Sequence, residues 1–98
     1  MSVREARIVV PTTTITNPHK EIISDLIREF GGFTGFNVFG GWLGPSGPEY
    51  EYGVAFDIAV PDNAETHDKL EALAKNIKER LKQDAVYLRL PNGEVKFI

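Results

Sequence analysis

Cysteine is absent from this 98-residue sequence, and its absence excludes several kinds of chemistry. A chain without cysteine forms no disulfide, no thiolate metal site and no cysteine nucleophile. The two histidines, His19 and His67, do not have the HxxH or HExxH spacing that is typical of metal ligands. We therefore predict no metal and no other cofactor.

Excess positive charge and long apolar runs are also lacking. The formal net charge of −3 argues against binding to the phosphates of a nucleic acid. No apolar stretch approaches the roughly 20 residues that a membrane-spanning helix needs. The first residues, MSVREARIVVP, lack the apolar segment of a signal peptide. We expect a soluble, cytoplasmic protein that binds neither nucleic acid nor membrane.

Residues 31–53, in contrast, are rich in glycine and aromatic side chains, with eight of the nine glycines and the only tryptophan. So much glycine excludes a helix, so these aromatics must lie on extended backbone. Phe33, Phe36, Phe39 and Trp42 recur at every third position. Because a strand has a period of two, this spacing sends them alternately to opposite faces. We therefore predict a strand that needs apolar cover on both sides.

The remaining sequence divides into helices and strands by its periodicity. Strands are predicted over residues 3–13, 33–43, 49–60, 85–90 and 94–98, with a bulge or a close approach of another backbone at Gly40-Gly41. One helix begins at Asn17-Pro18 with Asn17 as its cap, and a second begins at Asp62. Each helix has one apolar stripe, so together they can cover only one face of a sheet. We predict a single α+β domain over residues 1–98, a ferredoxin-like βαββαβ sandwich with an antiparallel sheet, two helices on one face and a short C-terminal edge strand.

The face of the sheet without helices is the predicted functional surface. Alternation along the strands places there Arg7, Glu51, Asp57, Tyr87 and Arg89, and either arginine could pair with a carboxylate across strands. The second strand contributes Phe33 with Phe39, or Phe36 with Trp42, unless the bulge brings Phe39 and Trp42 together. The predicted surface for contact with a partner or ligand comprises Phe39, Trp42, Tyr87, Arg7, Arg89 and Asp57. Solvent, a second subunit or a small molecule could cover it.

The segment over residues 30–53 resembles a pattern in small uncharacterised prokaryotic and phage proteins. In that pattern a helix ends in F-G-G-x-T, and G-x-W, a turn with glycine and an acidic residue follow. The matching positions are Phe30, Gly31, Gly32, Thr34, Gly40 or Gly41, Trp42, Gly47 and Glu49. The resemblance implies a compact α+β domain and no settled function. It also favours an accessory protein from a phage or a prokaryote.

Two functional hypotheses follow from this pattern. The first is a non-enzymatic interaction module, a homodimer that binds through its aromatic hairpin and its helix-free face. The alternative is a ligand-binding or enzymatic dimer of the α+β-barrel type, with a small-molecule pocket on the sheet face. We predict self-association, with a protein partner or a small molecule as a further partner. The sequence identifies no catalytic residue.

Overall fold

The computed structural model describes residues 2–12 and 14–98. Its elements are β1 (Arg4–Pro11), α1 (Asn17–Phe30), β2 (Thr34–Gly44), β3 (Gly47–Val60), α2 (Ala64–Leu81), β4 (Tyr87–Arg89) and β5 (Val95–Phe97). The five strands form one antiparallel sheet in the order β2-β3-β1-β4-β5. This confirms the predicted mixed α+β fold with an antiparallel sheet and two helices. Thr13, the predicted end of the first strand, lies outside the described residues.

One hydrophobic core joins both helices to the same face of the sheet. The apolar stripes of the helices contribute Ile22, Leu26, Leu70, Ala74 and Ile77, and alternate residues of β1, β3 and β4 contribute Ala6, Ile8, Val10, Phe56, Ile58, Val60 and Leu88. Because side chains alternate along a strand, the residues between these point to the opposite side. We call that opposite side the open face.

Both helices begin at caps that differ from the predicted ones. The cap of α1 is Thr16 rather than Asn17, and its backbone N–H donates to Nδ1 of the buried His19 at 3.1 Å. The cap of α2 is Asn63, whose side-chain oxygen accepts a hydrogen bond from the Thr66 N–H at 2.9 Å. In each case the cap lies one position away from the predicted one, at Thr16 instead of Asn17 and at Asn63 instead of Asp62.

The hairpin of β2 and β3 is longer than the rest of the sheet. Its register is continuous from Thr34 opposite Asp57 to Gly44 opposite Gly47. The predicted bulge at Gly40-Gly41 is therefore wrong, because each of these residues faces a single partner in β3. The strand β1 pairs with β3 only as far as Gly53. Residues 39–52, which we call the hairpin arm, consequently extend beyond the body of the sheet.

A membrane span is not found among the described residues. Neither α1 nor α2 combines the length and the apolar character that crossing a bilayer requires.

Candidate functional site

The strand register brings four of the six predicted site residues together on the open face. One row across the sheet consists of Thr34, Asp57, Arg7, Arg89 and Val95, and the next consists of Phe36, Ala55, Val9, Tyr87 and Phe97. Tyr87 and Phe97 make an edge-to-face contact with ring centroids 5.8 Å apart. Arg7, Asp57, Tyr87 and Arg89 are therefore neighbours, and their contact with a ligand remains a prediction.

Within this group, Arg7 and Asp57 neutralise each other. The Arg7 guanidinium donates to Asp57 through Nε to Oδ1 at 2.6 Å and through Nη2 to Oδ2 at 2.9 Å. This bidentate contact lowers the pKa of the Asp57 carboxyl and raises the pKa of Arg7. The Arg7 guanidinium carbon also lies 4.9 Å from the centre of the Phe36 ring, within range of a cation–π contact. Asp57 is thus held as a paired carboxylate and is poorly suited to act as a base.

The other two predicted site residues, Phe39 and Trp42, lie on the hairpin arm and on opposite faces of it. The continuous register gives residues at odd positions of β2 the same orientation as the core residues of β3. The Phe39 ring accordingly stacks with Tyr50, with ring centroids 5.8 Å apart, and contacts Tyr52, with ring centroids 5.3 Å apart. Trp42 faces the other way and is about half exposed, at 49%. The alternation along β3 predicts that Tyr50 and Tyr52 lie on the core face with Phe56, whereas both are exposed.

A groove of about 350 Å³ lies where the hairpin arm leaves the sheet, and we call it the hairpin groove. It is lined by Pro11, Thr12, Tyr50, Glu51, Tyr52 and Gln83. The groove follows the edge of β3 from which β1 has departed, so side chains from both faces of β3 border it. β1 ends at Pro11, and Oγ1 of the next residue, Thr12, accepts a hydrogen bond from the Thr14 N–H at 3.1 Å. Sequence reasoning listed Glu51 only as a member of the open face and did not identify this groove.

Backbone groups add hydrogen-bonding capacity to the hairpin groove. The Thr12 N–H donates to the Tyr52 carbonyl at 3.0 Å, so the backbone groups of Tyr52 point toward the side of β1. This direction repeats every second residue in an antiparallel strand. The N–H and carbonyl of Tyr50 therefore point to the same edge, where β1 no longer runs. A planar polar ligand in the groove could reach one donor and one acceptor there.

The two candidate sites differ in charge. The group on the open face has two arginines and one carboxylate. The hairpin groove has the Glu51 carboxylate and two tyrosine rings, and no lysine or arginine occurs among its lining residues in the described chain. Because Glu5 lies on the same face of β1 and also interacts with Arg7, the open face has no clear excess of positive charge, whereas the groove favours a cationic or aromatic ligand. In residues 2–12 and 14–98, no cluster of three or more histidine, aspartate or glutamate side chains could hold a metal ion.

Comparison with known proteins gives structural matches only. No protein-family model matches the chain, and no curated protein matches it. The solved structure of a phage SAM lyase in complex with S-methyl-5′-thioadenosine is similar, with 21% identity and a TM-score of 0.71 over 99% of this chain and 89% of that chain. A phage SAM lyase in the apo state is also similar, with 23% identity and a TM-score of 0.62 over 96% of this chain and 86% of that chain.

These matches correct the leading functional hypothesis. Both similar structures are of an enzyme, and one contains a bound small molecule. The prediction of a non-enzymatic module for protein–protein interaction is therefore wrong. The alternative, an enzymatic α+β protein with a small-molecule pocket, is the better supported of the two.

Proposed function

We propose that this protein is a lyase that cleaves S-adenosylmethionine (SAM) in the hairpin groove. The proposal is supported by the similarity of nearly the whole chain to a phage SAM lyase. The composition of the groove supports this choice of site. The groove has two exposed tyrosines beside one carboxylate, and none of its lining residues in the described chain is basic. We also propose the ferredoxin-like topology, supported by the strand order β2-β3-β1-β4, a cytoplasmic location, and a phage or prokaryotic source.

The charge of SAM distinguishes the two candidate sites. SAM has a sulfonium, an ammonium and a carboxylate, so its net charge is positive. On the open face, Asp57 is already paired with Arg7, so it is not available to bind the ammonium. The groove offers Glu51 and the faces of Tyr50 and Tyr52, and both kinds of group attract cations. The adenine ring can stack on a tyrosine and can use the free backbone groups of Tyr50.

The bond that breaks follows from the product named for the similar protein. S-Methyl-5′-thioadenosine keeps the methyl group and the 5′-carbon on sulfur, so the reaction must cleave the bond between sulfur and Cγ of the amino acid. We propose that the carboxylate of the substrate attacks Cγ and closes a five-membered lactone. The electron pair of the broken bond returns to sulfur, which becomes a neutral thioether. No water is consumed and no proton is transferred, so the reaction requires no catalytic base.

This chemistry gives the groove residues distinct roles. The sulfonium and the carboxylate lose their charges together, so a site that replaces water around them with apolar surface favours the transition state. The tyrosine rings supply that surface. The ammonium keeps its charge throughout, so a carboxylate that binds it does not oppose the reaction. We propose that the Glu51 carboxylate binds the ammonium of the substrate. This contact would orient the amino-acid portion for ring closure.

The experiment compares two carboxylates of the same strand. Glu51→Gln should lower kcat/KM for SAM cleavage by about 100-fold or more, since it removes a charge-assisted contact to the substrate. Glu49→Gln, two residues away and outside the groove lining, should change kcat/KM less than about threefold. Formation of S-methyl-5′-thioadenosine is followed by chromatography. No turnover by the wild-type protein, or equal losses in the two variants, would refute this assignment.

A further inference from the structure

The turn between β4 and β5 contains the only asparagine of the sequence that is followed by glycine, Asn92-Gly93. Both residues are exposed. The Gly93 N–H donates to the Leu90 carbonyl at 2.9 Å, and Gly93 has a φ of 93°. The connection is therefore a tight turn at Pro91 and Asn92, followed by a left-handed glycine, which is a common form of three-residue hairpin loop.

The geometry of this turn activates the side-chain amide of Asn92. Its Oδ1 accepts a hydrogen bond from the Glu94 N–H at 2.8 Å. A backbone donor at this position withdraws electron density from the amide carbonyl and stabilises negative charge that develops on its oxygen. The backbone nitrogen of Gly93 is the nearest nucleophile along the chain, and glycine has no side chain to obstruct its approach. The Gly93 N–H must first leave the Leu90 carbonyl, and an exposed turn opens at a small cost in free energy.

We propose that Asn92 is a site of spontaneous deamidation in the folded protein. The Gly93 nitrogen gives its proton to a base in the solvent and forms a bond to Cγ of Asn92. The bond between Cγ and the amide nitrogen breaks, and that nitrogen takes up a proton and leaves as ammonia. Water then opens the cyclic succinimide at either carbonyl, which gives aspartate or isoaspartate at position 92. The reaction needs no reagent other than water and does not depend on the proposed lyase activity.

The two products differ in their effect on β5. Isoaspartate lengthens the main chain by one carbon inside a turn whose ends are joined by the hydrogen bond from the Leu90 N–H to the Glu94 carbonyl at 2.8 Å. Because β5 has only three residues, its register with β4 depends on this turn. Beyond β5, Val86 and Ile98 exchange two backbone hydrogen bonds, at 3.1 and 3.0 Å. Isoaspartate should therefore release β5 and Ile98 from the sheet, whereas aspartate leaves the backbone unchanged and should retain them.

Peptide mapping of the aged wild-type protein tests the modification. The folded protein is incubated at mildly alkaline pH and digested with trypsin, which releases residues 90–96 with Asn92 as their only asparagine. The peptide of residues 29–69 is the internal control, because its Asn37 and Asn63 are followed by valine and alanine. Mass spectrometry should show conversion of amide to acid in peptide 90–96 well before the control peptide, with a digest of fresh protein as background. Equal, background-level conversion in the two peptides would overturn the proposal.

Hydrogen exchange tests the consequence for β5. Chromatography separates the isoaspartyl form of the aged protein from the aspartyl form, and freshly purified Asn92→Asp is the matched control that adds the charge without lengthening the backbone. The Val86 and Ile98 amides should exchange at least about tenfold faster in the isoaspartyl form than in fresh wild type, because the sheet opens locally there. Asn92→Asp should exchange like fresh wild type. Unchanged exchange in the isoaspartyl form, or equally fast exchange in Asn92→Asp, would refute the release of β5 by backbone lengthening.

Discussion

Arg7 and Asp57 form the clearest polar interaction at the scale of single residues. The sequence places them on neighbouring strands with the same orientation, since alternation along each strand can be counted from its apolar positions. The structure joins them by two hydrogen bonds beneath the Phe36 ring. The contact of Phe36 with Arg7 could not be predicted. The face of the sheet to which each side chain of β2 points depends on whether Gly40-Gly41 forms a bulge. A glycine pair is compatible with either arrangement.

The Arg7–Asp57 pair gives the protein a pH-dependent stability. Arg7 lowers the pKa of Asp57 in the folded state below its unfolded value. The pair therefore stabilises the protein above the unfolded pKa of about 4, and this contribution is lost as the pH falls toward the folded value. Asp57→Asn should reduce the free energy of unfolding at neutral pH by about 1–2 kcal/mol and flatten its dependence on acid pH.

Urea unfolding of wild type and Asp57→Asn between neutral and acidic pH measures this effect. Glu65→Gln is the control, because Glu65 pairs with Lys69 on the surface and its own side chain is 79% exposed. Such a pair adds little stability. Parallel pH profiles for wild type and Asp57→Asn would contradict a stabilising role for Asp57.

At the scale of elements, the hairpin of β2 and β3 determines where the sites form. Two of its glycines have opposite surroundings. A Cβ added to Gly53 would lie 2.9 Å from the Val10 carbonyl oxygen, whereas one added to Gly40 would have no atom within 4 Å. Gly53 is therefore needed for the close approach of β1 to β3. Gly40 lies on the arm, where space is available.

Alanine at these two positions should have opposite consequences. Gly53→Ala should lower the free energy of unfolding by about 1–3 kcal/mol, because β1 and β3 must separate locally to admit the methyl group. Gly40→Ala should change it by less than about 0.5 kcal/mol or stabilise the strand slightly. Urea midpoints measure both variants. Equal midpoints would show that β1 and β3 are not as close at Gly53 as the structure indicates.

The hairpin arm also shows where sequence reasoning fails at this scale. The alternation of Tyr50, Tyr52, Val54 and Phe56 is uniform, and it predicts one continuous core face. The structure buries Phe56 and leaves both tyrosines exposed, because β1 stops pairing with β3 at Gly53, where the arm begins. Periodicity reports the orientation of a side chain but not the extent of the neighbouring element. The hairpin groove forms because β3 extends beyond β1. The local sequence pattern of β3 does not predict such a difference in strand length.

At the scale of the whole molecule, the apolar stripes of the two helices were the predictable part. One apolar stripe on each helix requires that both pack on one face, and a single core joins them to the sheet. Function was not predictable in the same way. The lyase chemistry proposed here requires no base, metal or nucleophilic side chain, so the sequence displays none of the motifs by which catalysis is usually detected. A search for such motifs leads to a non-enzymatic interpretation, which the structural matches contradict.

The most direct test of this account is to identify both products after the purified protein is incubated with SAM. Ring closure by the substrate carboxylate should give S-methyl-5′-thioadenosine and the lactone of the four-carbon amino acid in equal amounts, at a rate proportional to protein concentration. Mass spectrometry at short times distinguishes the lactone from the open hydroxy acid that water would give. Intact SAM after prolonged incubation, or transfer of its methyl group with release of the demethylated nucleoside, would contradict the account.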